Sequence, residues 1–119
     1  LNGQMPVDYL IKNTSPDTVD IEMDFYWVVT AGADPVELLN KYGKRVRLCH
    51  IKDRMKTAAA DDEFSSCNVG EGSIDFAKIL PLAQSVGVKY FTVEQERFDD
   101  TTPMDAAKAD AKYLMNLSI

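Results

Sequence analysis

The feature that most constrains the fold is an alternation of extended and helical sequence patterns along the whole chain. Extended patterns, which are apolar or alternate with period two, cover residues 19–25, 45–51 and 88–96. Helical patterns cover residues 5–13, 33–43, 74–87 and 101–117. The polar stretch at 54–73 predicts a long loop. This order favours parallel strands joined by helical crossovers, and it predicts one α/β unit with about three parallel strands and four helices.

Capping residues mark where two of these helices begin. The helix over 33–43 opens with Asp34 and Pro35, and the last helix opens with Thr102 and Pro103. A short polar side chain at the N-cap accepts a hydrogen bond from a free backbone N–H group. Proline in the first turn has no N–H group to satisfy. The two segments are therefore predicted to be helical on local grounds alone.

The chain is short for the architecture that its alternation suggests. A closed (β/α)8 barrel uses roughly 250 residues, and this chain has 119. Three parallel strands with helices on one side leave two open edges and an uncovered sheet face. We therefore predict a partial (β/α)8 barrel over residues 1–119. Its open surfaces need either an N-terminal half that is absent from this chain or self-association with a second copy.

Composition and charge exclude several kinds of partner. The formal net charge is −6 and the isoelectric point is about 4.6, so the chain lacks the basic surplus of a nucleic-acid-binding protein. No apolar run approaches the roughly 20 residues of a membrane helix, and no signal peptide is visible. Two cysteines do not make a disulfide framework, which suits a reducing compartment. We expect a small-molecule substrate, no nucleic acid, no membrane and, by default, the cytoplasm.

Each predicted strand ends in a residue that can bind a metal. These residues are Asp24, His50, which is the only histidine, and Glu94. In parallel α/β sheets and barrels, ligands bind at the carboxyl ends of the strands. Two carboxylates and one imidazole suit one divalent ion, Mn²⁺, Mg²⁺, Co²⁺ or Zn²⁺, better than they suit soft metals that prefer thiolates. The simpler alternative is that these residues only begin solvated loops.

The alternation of side chains along the strands supports a shared site. Alternate residues of a strand face opposite sides of the sheet. If Asp24, His50 and Glu94 face the barrel interior, their neighbours of opposite parity must face the helices. Those neighbours are Val19, Ile21, Met23, Cys49, Ile51, Phe91 and Val93. All are apolar, and only Arg47 departs from the pattern, so three strands independently predict the same orientation.

Several segments are similar to a known enzyme family. They are DFYWVVTAGADPVELLNKYGKRVRLCHIKD, VGEGSIDFAKIL and GVKYFTVEQE. In order and spacing they resemble the C-terminal half of the sugar phosphate isomerase/epimerase family, whose members are xylose isomerase-like TIM barrels. The resemblance implies one divalent metal ion held by Glu, Asp, His and Glu from successive strands. Asp24, His50 and Glu94 match the last three ligands, and the first Glu would lie upstream of Leu1.

The resemblance also implies a chemistry, which is proton transfer next to the carbonyl of a ketose or sugar phosphate. A divalent metal polarises the carbonyl, one Glu removes a proton and a second Glu returns it. Glu94 matches one member of this catalytic pair. The expected enzyme is a sugar isomerase or epimerase, with this chain inactive alone. A keto-sugar lyase or hydratase on the same site, or a non-catalytic half-barrel that binds metal or sugar, are the alternatives.

Four further residues are candidates for binding the sugar. Tyr26 and Trp27 follow the first strand, where they either offer an apolar platform or are core aromatics beneath a loop. Lys52 and Glu96 share the direction of the metal candidates and contact either substrate or solvent. Trp27 stands where many family members carry His, which weakens the analogy to the ketose epimerases and counts against the related endonucleases.

Three nearby features are expected to be structural. Asp53 and Arg54 suggest an ion pair within a loop. Glu22 shares the direction of Asp24 deeper in the strand, where a buried carboxylate would need a partner, an Arg or Lys from the missing half. Cys49 faces the helices and is expected to be an unreactive core thiol.

Overall fold

The structure, a computed structural model, describes Gly3 and residues 5–117. The helices within these residues are α1 Pro6–Lys12, α2 Phe25–Thr30, α3 Pro35–Tyr42, α4 Phe76–Val86 and α5 Pro103–Met115. The strands are β1 Ile21–Asp24, β2 Val46–Ile51, β3 Asp53–Arg54, β4 Ser66–Cys67 and β5 Tyr90–Val93. A 3₁₀ turn, Gly43–Arg45, joins α3 to β2.

Strands β1, β2 and β5 form a parallel sheet with β2 in the centre. The register places Asp24 opposite His50 and His50 opposite Thr92. Glu94 follows β5 directly, and its N–H group donates to the carbonyl of Ile51 at 3.1 Å. Since parallel strands in register end on the same side, the carboxyl ends of the three strands meet at one edge, as predicted.

The hydrophobic core lies between one face of this sheet and the helices α2, α3 and α4. Met23, Cys49 and Ile51 are buried in this core, while the side chain of His50 on the other face is 31% exposed. The predicted orientation of β1 and β2 is therefore confirmed. Arg47, the exception to the apolar pattern, donates to the carbonyl of Gly87 at 3.1 Å and keeps its charge at the margin of the core.

The predicted helix caps are present. Asp34 Oδ1 accepts a hydrogen bond from the Val36 N–H group at 2.7 Å, and Thr102 Oγ1 accepts one from the Asp105 N–H group at 3.2 Å. Both helices carry proline in the first turn. Helix α4 ends at Gly87 in the left-handed conformation, with φ 110°, which costs glycine little because it has no Cβ atom.

Two elements differ from the sequence-based expectation. The first strand is predicted to extend to residue 25, but the observed strand β1 ends at Asp24. Helix α2 follows it, so the described residues contain five α-helices rather than the predicted four. The aromatic and β-branched residues after Asp24 favour a strand by propensity. The Asp24 side chain overrides that preference because it caps the new helix. The predicted loop at 54–73 also holds one strand of the short antiparallel pair β3–β4.

The described residues form an open partial barrel. The two edges of the parallel sheet are β1 and β5. Helix α5 buries only Ala106 and Asp110 among its described residues, and Phe91 and Val93 on β5 remain 36% and 39% exposed. A cavity of about 370 Å³ separates this strand from α5.

In residues 5–117, none of the helices has the length and apolar character needed to cross a membrane.

Candidate metal centre

The structure brings the three predicted metal ligands together on the open face of the sheet. Asp24, His50 and Glu94 each offer one ligand atom, and these atoms all lie within 4.8 Å of one another. All three side chains are partly exposed, at 16%, 31% and 35%. They therefore form one acidic cluster that is open to small molecules.

Asp24 uses its two carboxylate oxygens for different purposes. Oδ1 accepts hydrogen bonds from the N–H groups of Tyr26 at 2.9 Å and Trp27 at 3.2 Å. Oδ2 lies 3.4 Å from His50 Nδ1. Because the cap at the start of α2 restrains the carboxylate, the second oxygen is directed at the cluster. Local helix formation thus orients a candidate metal ligand.

Both ring nitrogens of His50 face carboxylate groups. Nδ1 is 3.0 Å from Glu94 Oε2 and 3.4 Å from Asp24 Oδ2. Nε2 is 3.2 Å from Glu22 Oε1. The Glu22 side chain is 43% exposed in this chain. Nothing in the described residues covers that face of the sheet, so a buried Glu22 paired with a cation from the missing half of the barrel stays a prediction.

The donor set fits one divalent ion. Two carboxylates and one imidazole are suitable ligands for Zn²⁺, Mn²⁺, Co²⁺ and Mg²⁺. Two ligands bound about 2.1 Å from the same ion are at most about 4.2 Å apart. The three ligand atoms lie within 4.8 Å of one another, so small side-chain rotations are enough to bring them to one ion. Asp24, His50 and Glu94 would hold the ion, with open positions left for a further ligand and a substrate.

Lys52 places a positive charge beside this cluster. It is only 1% exposed, so a solvated lysine, which the sequence left open, is excluded. Its ammonium group contacts the carboxylate of Glu96 and lies 3.8 Å from Glu94 Oε1. It also lies 4.8 Å and 5.4 Å from the ring centroids of Tyr26 and Trp27. These partners offset the cost of removing the ammonium from water.

The two aromatic residues have different environments. Tyr26 has no exposed surface. Its hydroxyl donates to the carbonyl of Glu63 and accepts from the N–H group of Ser65, both at 2.9 Å. Tyr26 is therefore a core aromatic beneath the loop, which is one of the two expected alternatives, and it offers no surface to a substrate here. Trp27 is 41% exposed and keeps an accessible face beside the site.

Asp53 is structural, as expected, but the sequence interpretation missed its partners, which are backbone N–H groups. It is fully buried and accepts hydrogen bonds from the N–H groups of Arg54, Gly70, Gly72 and Ile74 at 2.8 to 3.1 Å. The expected ion pair with Arg54 does not form, because the guanidinium donates to Ser65 and Ala59 in the loop that follows β3. A Cβ atom on Gly72 would collide with the Asp53 carboxylate. A carboxylate after a strand, followed by a glycine-rich turn, is the sequence signal for this arrangement.

A second buried carboxylate attaches α5 to the same turn. Asp110 is 2% exposed and accepts a hydrogen bond from the Val69 N–H group at 2.7 Å. Burial raises the pKa of Asp110, and the neighbouring carboxylates of Glu71 and Asp53 add to that increase. No predicted site residue depends on this contact.

Both cysteines are unsuited to nucleophilic chemistry. Burial raises the pKa of the Cys49 thiol to about 12, and it raises the pKa of the Cys67 thiol to about 12. The thiolate is the reactive form of cysteine, so neither residue is activated. The expectation of an inert core thiol at Cys49 is confirmed.

Comparison with known proteins supports the class that the fold and site define, which is a partial xylose isomerase-like TIM barrel. No family model matches the chain. A solved sugar phosphate isomerase/epimerase from Parabacteroides distasonis is 32% identical, with a TM-score of 0.79 over 94% of this chain and 35% of that protein. A xylose isomerase domain protein from Planctomyces limnophilus is 22% identical, with a TM-score of 0.64 over 97% of this chain and 42% of that protein, and supports the fold.

Curated relatives add a second activity to this group. An inosose dehydratase from Lacticaseibacillus casei is 28% identical over 91% of this chain and 41% of its own length. The resemblance to the sugar phosphate isomerase/epimerase family is thereby confirmed, within a group of sugar-modifying enzymes that also includes dehydratases. The chain spans about 40% of the length of the curated relatives it matches.

Proposed function

We propose that this chain contributes the Asp–His–Glu part of the metal site of a sugar isomerase or epimerase. The observation that carries the proposal is the convergence of Asp24, His50 and Glu94 from three parallel strands. This convergence occurs within a fold similar to that of a sugar phosphate isomerase/epimerase. The substrate class is a ketose or sugar phosphate with a hydroxyl-bearing carbon next to its carbonyl.

A divalent ion bound at this site would polarise the substrate carbonyl and acidify the neighbouring C–H bond. Glu94 is the proposed catalytic residue. Its Oε2 faces His50 at 3.0 Å, while its Oε1 faces Lys52 at 3.8 Å. Because the two oxygens have different surroundings, one can face the ion while the other takes the proton. A second acid/base group on the opposite side of the substrate would come from the part of the barrel outside this chain.

Lys52, Trp27 and Glu96 are proposed to shape the substrate side of the site. The buried Lys52 ammonium would act through the carboxylates of Glu94 and Glu96 that it contacts, and the exposed ring of Trp27 would contact the apolar face of a sugar. Glu96, in contact with Lys52, would hold that ammonium in place. These roles extend the contacts seen between the three residues in the free chain.

A dehydratase is the second candidate function. The inosose dehydratase from Lacticaseibacillus casei that matches 91% of this chain favours it. Dehydration of a keto-polyol starts with the same removal of a proton next to a carbonyl. A dehydratase then expels a hydroxyl group from the next carbon. An isomerase instead returns the proton to the substrate and keeps that hydroxyl. Glu94 would be the base in both reactions, and the fate of the hydroxyl distinguishes them.

The proposal is tested in a complete barrel. The part of the Parabacteroides distasonis protein that this chain does not match would be fused to residues 1–119. The purified chimera would be incubated with Zn²⁺ or Mn²⁺ and with D-fructose, D-fructose 6-phosphate or an inosose in D₂O. We expect NMR to show exchange of the hydrogen next to the carbonyl in at least one substrate. Products that keep every hydroxyl indicate isomerisation or epimerisation, and loss of a hydroxyl indicates dehydration.

The matched variants assign the chemistry to this chain. Glu94→Gln should reduce exchange at least 100-fold, in the range that removal of a general base causes. Glu37→Gln, an exposed carboxylate on α3, should leave it unchanged. A folded chimera in which Glu94→Gln retains full exchange would contradict the proposed role of Glu94.

A further inference from the structure

Glu22 contacts the candidate metal centre without belonging to it. It lies two residues before Asp24 on the same face of β1, and its Oε1 is 3.2 Å from His50 Nε2. In the strand register Glu22 is level with Leu48 rather than His50, so its side chain must extend along the sheet to reach the ring. A half-exposed carboxylate on an open face has no packing reason to take that direction.

The two nitrogens of His50 cannot both be metal ligands to one ion. A neutral imidazole has one N–H group and one lone pair, and the metal takes the lone pair. Nδ1 faces Asp24 and Glu94, whose carboxylates complete the donor set. The proton must then lie on Nε2, and the group beside Nε2 is the Glu22 carboxylate.

From this geometry we infer that Glu22 is a positioning residue that holds the His50 ring with Nδ1 directed at the metal. It receives the Nε2–H group, which favours that tautomer, restrains the ring plane and makes Nδ1 a better electron donor. Carboxylates on the second nitrogen of metal-bound histidines have these effects generally. The inference rests on the metal site of the proposed function, and it assigns Glu22 a role in this chain independent of any cationic partner.

The experiment uses the 119-residue chain at one fixed pH. Zn²⁺ affinity would be measured by titration calorimetry for the wild type, Glu22→Leu and Glu22→Gln. Asp20→Asn is the control for general loss of negative charge, because Asp20 lies just before the same strand and its Oδ1 is 3.7 Å from Arg47 Nε. In parallel, ¹⁵N NMR would report which imidazole nitrogen carries the proton and which binds Zn²⁺. Since His50 is the only histidine, both signals belong to this ring, and their couplings to the ring protons distinguish Nδ1 from Nε2.

We expect Zn²⁺ to shift the Nδ1 signal of the wild type while Nε2 stays protonated. Glu22→Leu should weaken Zn²⁺ binding about 10-fold or more, as loss of such a partner typically does. Glu22→Gln keeps a hydrogen-bond acceptor without the charge and should restore most of the affinity, and Asp20→Asn should match the wild type. Circular dichroism would show that the variants retain the fold.

Different results overturn different statements. Equal Zn²⁺ affinity in the wild type and Glu22→Leu, or Zn²⁺ bound through Nε2, would overturn the role of Glu22 and leave the metal site standing. Equal loss in Glu22→Gln and Glu22→Leu would mean that Glu22 acts only through its charge, which also overturns positioning. If the folded wild type binds no Zn²⁺ and His50→Ala behaves identically, both the metal site and the inference fall.

Discussion

At the scale of single residues, the site depends on side chains that perform two tasks at once. Asp24 both starts helix α2 through Oδ1 and faces His50 through Oδ2. His50, on the central strand β2, faces Asp24 at the end of β1 and lies beside Glu94, which follows β5. Lys52 is buried between the carboxylates and the aromatic rings. The chemistry of the centre is therefore tied to the local structure that forms it.

Substitutions at Asp24 should separate these two tasks. Asp24→Asn keeps an oxygen that can cap α2, whereas Asp24→Ala removes the cap and should cost about 1 kcal/mol in the free energy of unfolding. Both should weaken Zn²⁺ binding, because both remove the ligand charge. Urea unfolding without metal and calorimetric Zn²⁺ titration measure the two effects. If Asp24→Asn lost as much stability as Asp24→Ala, the capping role would be wrong.

At the scale of secondary-structure elements, two buried carboxylates organise the turn between β4 and α4. Asp53 accepts hydrogen bonds from three backbone N–H groups of this turn, those of Gly70, Gly72 and Ile74, and Asp110 accepts one from Val69 and so connects α5 to it. These contacts use charged groups in place of regular secondary structure, since the backbone donors of a buried turn must be satisfied. The turn thereby links β3, α4 and α5 across the rim of the sheet.

Asp110→Asn should stabilise the chain near neutral pH. The pKa of Asp110 is raised in the folded state, so ionisation opposes folding. The penalty is absent below the ordinary value of 3.8 and grows as pH rises through the higher folded pKa. Asparagine keeps an acceptor for the Val69 N–H group without the charge. Thermal unfolding should therefore show a higher Tm for the variant at pH 7.5 and a smaller difference at pH 4.5. Asp100→Asn, at an exposed carboxylate shortly before α5, is the control, and a difference that does not depend on pH would refute the explanation.

At the scale of the whole molecule, the chain has the construction of a barrel segment. Its sheet is open at β1 and β5, and in the described residues the face that carries the candidate metal ligands is uncovered. An apolar groove of about 320 Å³ lies along β1, in addition to the cavity at α5. We propose that the remaining part of a barrel, or a second copy of this chain, covers these surfaces. Burial of the apolar strands at both edges would supply the driving force.

The chain isolated as a monomer should have no turnover. It holds three of the four ligands that the resemblance implies and one member of the acid/base pair. Monomers would be separated by size-exclusion chromatography with light scattering and assayed by exchange from D₂O, with the chimeric barrel as positive control. Exchange by the monomer at a rate comparable to the chimera would contradict this expectation.

Much of the site could be predicted from sequence because it follows from periodic features. Asp24, His50 and Glu94 share a direction along their strands, and that direction follows from the period of two in a β-strand. The helix that begins after Asp24 was not predictable from propensity, because its aromatic and β-branched residues favour strands and the capping contact decides the outcome. The burial of Lys52 and the role of Asp53 depend on segments far apart in sequence, which no local pattern reports.

By itself the sequence determined the parallel α/β class, the capped helices, the face on which the candidate metal ligands lie and the resemblance to the sugar phosphate isomerase/epimerase family. These features depend on local periodicity, capping chemistry and residue order. Only the tertiary structure decided that Tyr26 belongs to the core, that Lys52 pairs with Glu96, and that Glu22 faces the second nitrogen of His50. The reason is physical: burial and partner choice arise from packing between segments that are 20 to 45 residues apart, as with the 44 residues between Lys52 and Glu96.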